Sequence, residues 1–251
     1  MPASINGMFE EVGEVAFLAR DVSRNLVRRP FEARLLVEQL DSIGVRSLNV
    51  VNLTAVFSGM VLALQMGQFL GKFGAKIYVS RIMGLSLLRE MGPVLTALMI
   101  GARVGAGITA ELGSMTVTEQ IDAMRALASN PIKKLVVPRV LACTLMMPVL
   151  TVIADAVGLF GGLIIAVAEL GLTARYFYTS LLQNMVLSDL LSGLGKAVFF
   201  GYVISIIACH KGLTATGGAD GVGRATTSAV VAAAISVLVS DFFLTKLFLS
   251  T

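Results

Sequence analysis

The chain has 251 residues, of which 56% are hydrophobic and only 14% charged, and a formal net charge of +4. With a mean hydropathy of +0.84 it has too little charge to cover a water-facing surface of this size, so the composition excludes a soluble domain and points to an integral membrane protein. The apolar residues fall in long blocks, which suits helices rather than a barrel, and the uneven spread of basic residues gives no reason to expect a nucleic-acid partner.

The first residues, MPASINGMFEEVGEV, carry acids where an export signal carries bases, and no export signal is expected. Residues 8–29 have helical spacing. Val15, Ala19, Val22 and Leu26 share one face and Arg20, Arg24 and Arg28 the opposite one. Such a helix suits the membrane surface, its arginines reaching anionic headgroups; an ordinary amphipathic helix packed on protein is the alternative. Pro30 breaks the pattern, and a second short amphipathic piece at 31–43 leads to the first span.

Residues 47–71 contain no charged group and exceed the ~20 residues needed to cross a bilayer. Four more spans follow, at about 82–110, 140–168, 190–210 and 225–248, with a short amphipathic helix in LTARYFYTSLLQNMVLSDLL outside the bilayer core. The expected fold class is therefore all-α and polytopic, a single membrane domain over 1–251 with interfacial helices in 1–46 and a five-span bundle in 47–251. Twelve Lys/Arg fall in the segments on the N-terminal side, and five (Lys72, Lys76, Arg81, Arg175, Lys246) on the other. That asymmetry favours a cytoplasmic N-terminus and an outer C-terminus. Gly67/Gly71, Gly101/Gly105 and Gly158/Gly162 recur at spacing four, the small-residue pattern of close helix packing. Cys143 and Cys209 lack metal-ligand spacing and read as small buried hydrophobes.

Ionised groups inside spans cost at least ~2.5–3.5 kcal/mol each and need a reason. Counted from the outer helix ends, Glu90, Lys196 and Asp241 all lie about 10 Å deep. Two acids and a base at one level either pair across helices as a structural salt bridge or ring a wet, outward-open cavity that touches cargo. Arg89 points to another side of its helix, to snorkel or to face a partner subunit. Asp155 is mid-helix, either a protonated buried acid or one facing water.

After span two, Thr116 and Glu119 fit a capping box, T-x-x-E, that starts a helix near Val117. Ile121, Met124, Leu127 and Ala128 then share a face, with Gln120, Asp122 and Arg125 elsewhere. Asn130-Pro131 ends the helix. A half-polar helix of this kind can lie in a partner's groove; a plain interfacial loop helix is the default reading from these residues alone.

LSLLREMGPVLTALMIGARVGAGITAELGSM, followed by TEQIDAM and NPIKKLVVPR, resembles the signature region of MlaE-type permeases, the membrane subunits of the Mla phospholipid-transport ABC system of Gram-negative bacteria. SGMVLALQ, GLGKAVFF, GVGRATTSAVV and SDFFLTKLF extend the resemblance over nearly the whole chain. It implies a homodimer in the inner membrane enclosing a phospholipid cavity, and a role in outer-membrane lipid asymmetry. It also implies a cytoplasmic ABC ATPase, a STAS-domain protein and a periplasmic hexameric MCE-domain ring as partners. The helix over 116–129, with Thr116, Glu119, Gln120, Ile121, Asp122, Met124 and Arg125, would be the ATPase-coupling helix, and Glu90, Lys196 and Asp241 would belong to the cavity. No G-x-x-x-x-G-K-[ST] occurs, so no P-loop is present. The chain is expected to be non-catalytic and to hold no metal or cofactor, with ATP and Mg on the partner ATPase.

Two other functions are weighed. An ion-coupled secondary transporter would use Asp155, Lys196 and Asp241 as a relay, but five spans without an internal repeat do not suit it. An intramembrane hydrolase has only Ser58 and the single His210 to draw on, at different expected depths.

Overall fold

The computed structural model describes residues 5–26 and 33–249, and every regular element among them is helical. Helix α1 (Ile5–Leu26) precedes α2 (Ala33–Ile43) and α3 (Leu48–Gly71). The second span is one helical run built from α4 (Val79–Ser86), α5 (Gly92–Ile100) and α6 (Ala106–Val117). Wide turns at Leu87–Met91 and Gly101–Gly105, closed by i→i+5 bonding, join these three pieces. A short helix α7 (Gln120–Ala126) leads to another wide turn at Ile132–Val136 and to α8 (Val137–Ala168). Then come α9 (Ala174–Asn184), α10 (Leu187–Leu213) and α11 (Gly218–Leu249). Five of these stretches are long and apolar enough to cross a membrane, at the five places the sequence marks.

The spans run antiparallel in turn, so α7 and the α10–α11 connection share one end of the bundle and α9 the other. At the α9 end, Phe177 and Leu181 bury the apolar face of α9, and the Tyr176 hydroxyl donates to the Ile77 carbonyl at 3.2 Å. The main core is formed around α8 and α10, where Cys143, Met147, Leu150, Phe200, Ile204 and Cys209 are buried together. The two cysteines are free thiols in this apolar interior.

Close backbone approach holds α3 against α8. A Cβ on Gly59 would overlap the Gly158 carbonyl, and one on Gly161 would overlap the Val56 carbonyl. Of the spacing-four pairs, Gly158 and Gly162 sit at this contact, whereas Gly101 and Gly105 face Ile204 at ordinary van der Waals distance. Gly59 and Gly161, outside that spacing, carry the tightest contact.

Helix α1 turns Leu18 and Val22 inward and leaves Arg20 and Arg24 exposed, so it packs on the bundle with its arginines outward. The Leu26 side chain, Arg28 and the break at Pro30 lie outside the described residues. The capping box does not form. Thr116 remains in the last turn of α6, its hydroxyl donating back to the Leu112 carbonyl at 2.8 Å and lying 3.1 Å from the Gly212 carbonyl. Glu119 is itself the N-cap of α7, in the left-handed region at φ 60°. The hydroxyl finds acceptors on α6 and α10, which overrides the local T-x-x-E signal.

Candidate functional site

Pro93 makes the site. In a regular helix the carbonyl of residue 89 accepts from the amide of residue 93, and proline has no amide hydrogen. The chain answers with the wide turn at Leu87–Met91, which leaves the Arg89 carbonyl available to another helix. Gly193 lets α10 approach this turn so closely that a Cβ there would overlap the Leu88 carbonyl. Lys196, one turn further along α10, then reaches the free carbonyl with its Nζ at 3.0 Å.

Lys196 is only 1% exposed, yet its ammonium is fully engaged. It donates to Glu90 Oε2 at 2.6 Å and to the Thr245 hydroxyl at 2.7 Å, besides the Arg89 carbonyl. Three donors are thus used. Asp241 Oδ1, 3.0 Å from Nζ, is held by charge without an aligned hydrogen bond of its own. The Thr245 hydroxyl lies 2.8 Å from the Asp241 carbonyl and 3.2 Å from Glu90 Oε2, closing the cluster. The three residues named from depth therefore meet, and they meet as a lysine shared by two acids from two other spans. They sit eight to eleven residues from the helix ends, at about 12–16 Å, deeper than expected because α4 and α10 begin three residues earlier than the hydropathy suggests. The acids are less covered than the lysine: the Glu90 side chain is 40% exposed and that of Asp241 21%.

Sequence reasoning missed three members of this region. Thr245 lies one turn from Asp241, a spacing that places it on the same face. The free carbonyl was legible as Pro93 standing four residues after Arg89. Asp189 was not: Arg89, with its side chain 42% exposed, donates from Nε to Asp189 Oδ1 at 2.6 Å, and Asp189 Oδ2 accepts from the Val186 amide at 3.1 Å. Only the packing of the wide turn against α10 puts these residues side by side.

Asp155 is separate. It is 3% exposed, and its Oδ1, with no partner among the described residues, lies where a Cβ on Gly92 would fall. Ser58 lines a small apolar cavity between α3 and the wide turn, whereas His210 Nε2 sits 3.1 Å from Glu14 Oε2 near the α7 end. The structure does not bring serine and histidine together.

The proposed coupling segment is shorter than 116–129. Ile121 is buried, and Met124 partly so, while Glu119, Gln120, Asp122 and Arg125 are exposed; Arg125 pairs with Asp122 at 2.9 Å. One apolar side chain anchors α7 and the polar face is presented outward at the end of the bundle.

Residues 36–247 match the family model described as Permease MlaE. A probable ABC transporter permease protein of Rickettsia bellii is 43% identical over 95% of this chain and 92% of its own length. One of Synechocystis is 40% identical over 97% and 93%. The intermembrane phospholipid transport system permease protein MlaE of Haemophilus influenzae is 37% identical over 95% and 92%.

Proposed function

The chain belongs to the MlaE permease family, and on that premise we propose that this multi-pass ABC transporter permease carries phospholipid between inner and outer membranes to maintain outer-membrane lipid asymmetry. Two copies enclose the cavity, which opens toward a periplasmic MCE-domain ring. The Lys196 cluster forms its polar lining in an inner membrane with the N-terminus cytoplasmic. The observation that carries the reading is a charge cluster whose acids are partly exposed, beside an exposed apolar face. On α11, Phe242, Phe243 and Leu247 are exposed next to Asp241, which suits a passenger with a charged head and apolar tails.

ATP is hydrolysed on a separate subunit that meets α7. A buried Ile121 beneath an exposed Gln120, Asp122 and Arg125 makes a short lever seated by one apolar side chain, and the STAS-domain protein joins on the ATPase side. Motion at α7 passes directly into α6 and so into the jointed second span that bears Glu90.

Copurification and reconstitution test this. The chain with its neighbouring subunits should retain phospholipid and transfer it between vesicles only with ATP, and Arg125→Glu should reduce ATPase recovery. Recovery of a stable complex that moves no phospholipid would overturn the assignment.

A further inference from the structure

Away from the lysine cluster, α2 and α6 part around a cavity of about 240 Å³. Gln39 and Ile43 line it on the α2 side, Ile108 and Glu111 on the other. Gly107 leaves its floor open, since a Cβ there would meet nothing within 4 Å. Arg103, in the wide turn that precedes α6, is exposed and faces the same cavity. Its Nη1 donates to the Ser47 hydroxyl, which in turn donates to the Ile43 carbonyl at 2.6 Å. A guanidinium offers five N–H donors and keeps its charge, yet Arg103 has no carboxylate partner among the described residues. The other charges on these walls are matched: Arg34 by Glu38 at 3.1 Å, Arg46 by Asp41 at 3.6 Å, and Glu111 by Arg139 at 2.8 Å. One positive charge is left over.

Its height says what balances it. No charged residue falls between Glu90 and Arg103 on the second span, or between Arg46 and Lys72 along α3. Arg103 touches Ser47, so both charge-free stretches end at one level, the edge of the hydrocarbon at the α7 end. Lipid phosphates lie just outside that edge. We propose that the cavity binds the phosphodiester of a phospholipid in this leaflet, with Arg103 as its counter-charge. An ionised group at this depth needs a partner, and a phosphodiester brings one negative charge at the right height. Ile43, Val104 and Ile108 give an apolar wall to the glycerol end of the chains, which a soluble phosphate lacks. Glu111 lies two turns nearer α7, about 12 Å along the helix, and stays clear of the phosphate. The bound lipid ties α2 to the turn at Gly101–Gly105, one of the two joints of the second span. Glu90 is about 20 Å away along that span, so this site is distinct from the Lys196 cluster. The proposal rests on the chain spanning a bilayer and not on what it carries.

The chain contains no tryptophan, so a single introduced one reports its own surroundings. Ser42→Trp places the probe on an exposed wall of the cavity. Leu145→Trp is the control at the same depth on another face, exposed on α8 beside Met146, which packs on Gly44. The full chain is placed in nanodiscs of phosphatidylcholine and diacylglycerol in fixed proportion, with bromine on the acyl chains of one or the other. Per mole of brominated lipid, quenching at Ser42→Trp should favour phosphatidylcholine by about fivefold, the effect of one basic residue at the membrane surface. At Leu145→Trp the two lipids should quench alike. Arg103→Gln, which keeps a donor for Ser47, should abolish the preference, and Arg103→Lys should retain it. Val45→Trp, exposed beside Arg46, should repeat the Ser42→Trp result without altering a lining residue.

Equal quenching by the two lipids at Ser42→Trp and Val45→Trp, or a preference that survives Arg103→Gln, would overturn the proposal. So would the absence of quenching by either lipid, which would mean that protein covers the cavity. Emission of Ser42→Trp that responds to inorganic phosphate in detergent, with no lipid preference in nanodiscs, would assign the cavity to a soluble anion instead.

Discussion

Lys196 shows how one buried charge is kept. A lone ammonium among apolar helices would be expelled or neutralised; here two carboxylates, a hydroxyl and a carbonyl surround it. Truncating one partner of such a cluster costs more than the cluster contributes, because the remaining charges lose their match. Lys196→Ala should therefore lower stability by about 3 kcal/mol, the low end of the range for broken buried pairs since Glu90 is partly exposed. Unfolding in detergent would measure that loss, and vesicle assays should show lipid transfer abolished. A variant of native stability and full transfer would show the cluster to be dispensable. Asp155 calls for a different experiment, because its Oδ1, without a hydrogen-bond partner among the described residues, faces Gly92 across a contact with no room for a Cβ. Gly92→Ala should fold poorly, its Cβ meeting both Asp155 Oδ1 and the Leu87 carbonyl at 2.9 Å, and adding Asp155→Ala should recover only part of the lost expression because the carbonyl contact stays.

Single elements here are shaped by what their backbones lack. Pro93 removes one amide hydrogen, and the freed carbonyl becomes part of the site on α10. Pro93→Ala restores that donor and lets the Arg89 carbonyl return to its own helix. Thermal stability should change by less than about 1 kcal/mol, one helical bond replacing one lysine bond, while lipid transfer falls several-fold. Unchanged transfer would mean that the wide turn has no part in function. Between α3 and α8 the missing groups are side chains. Gly59→Ala should destabilise by about 1–3 kcal/mol through overpacking, because its Cβ meets the backbone of Gly158. Gly105→Ala should be nearly neutral, its Cβ meeting Ile204 at 3.6 Å. Thermal melts of the two variants side by side decide this.

For the molecule as a whole, coverage is uneven. Half of the hydropathic window of α10 is buried but only 17% of that of α11, so the fifth span leaves an apolar side uncovered. The proposed dimer would close the part near the cluster. Both native cysteines are buried, which makes a single introduced cysteine informative: Phe243→Cys should crosslink two copies through a short thiol-specific reagent, and Phe160→Cys should not. Crosslinking at both positions, or at neither, would place the partner elsewhere.

The sequence alone determined that the chain is a five-span helical bundle, because hydropathy accumulates along one dimension and needs no knowledge of neighbours. It also put Glu90, Lys196 and Asp241 at one depth, since rise per residue converts position into height. What it left undetermined was rotation and contact: that Lys196 turns inward to two acids, that Arg89 finds Asp189, and that Thr116 bonds across to α10 instead of capping α7. Those choices belong to the tertiary structure, because the azimuth of each helix is set by side chains interlocking with helices far away in the chain. No local spacing records that interlocking.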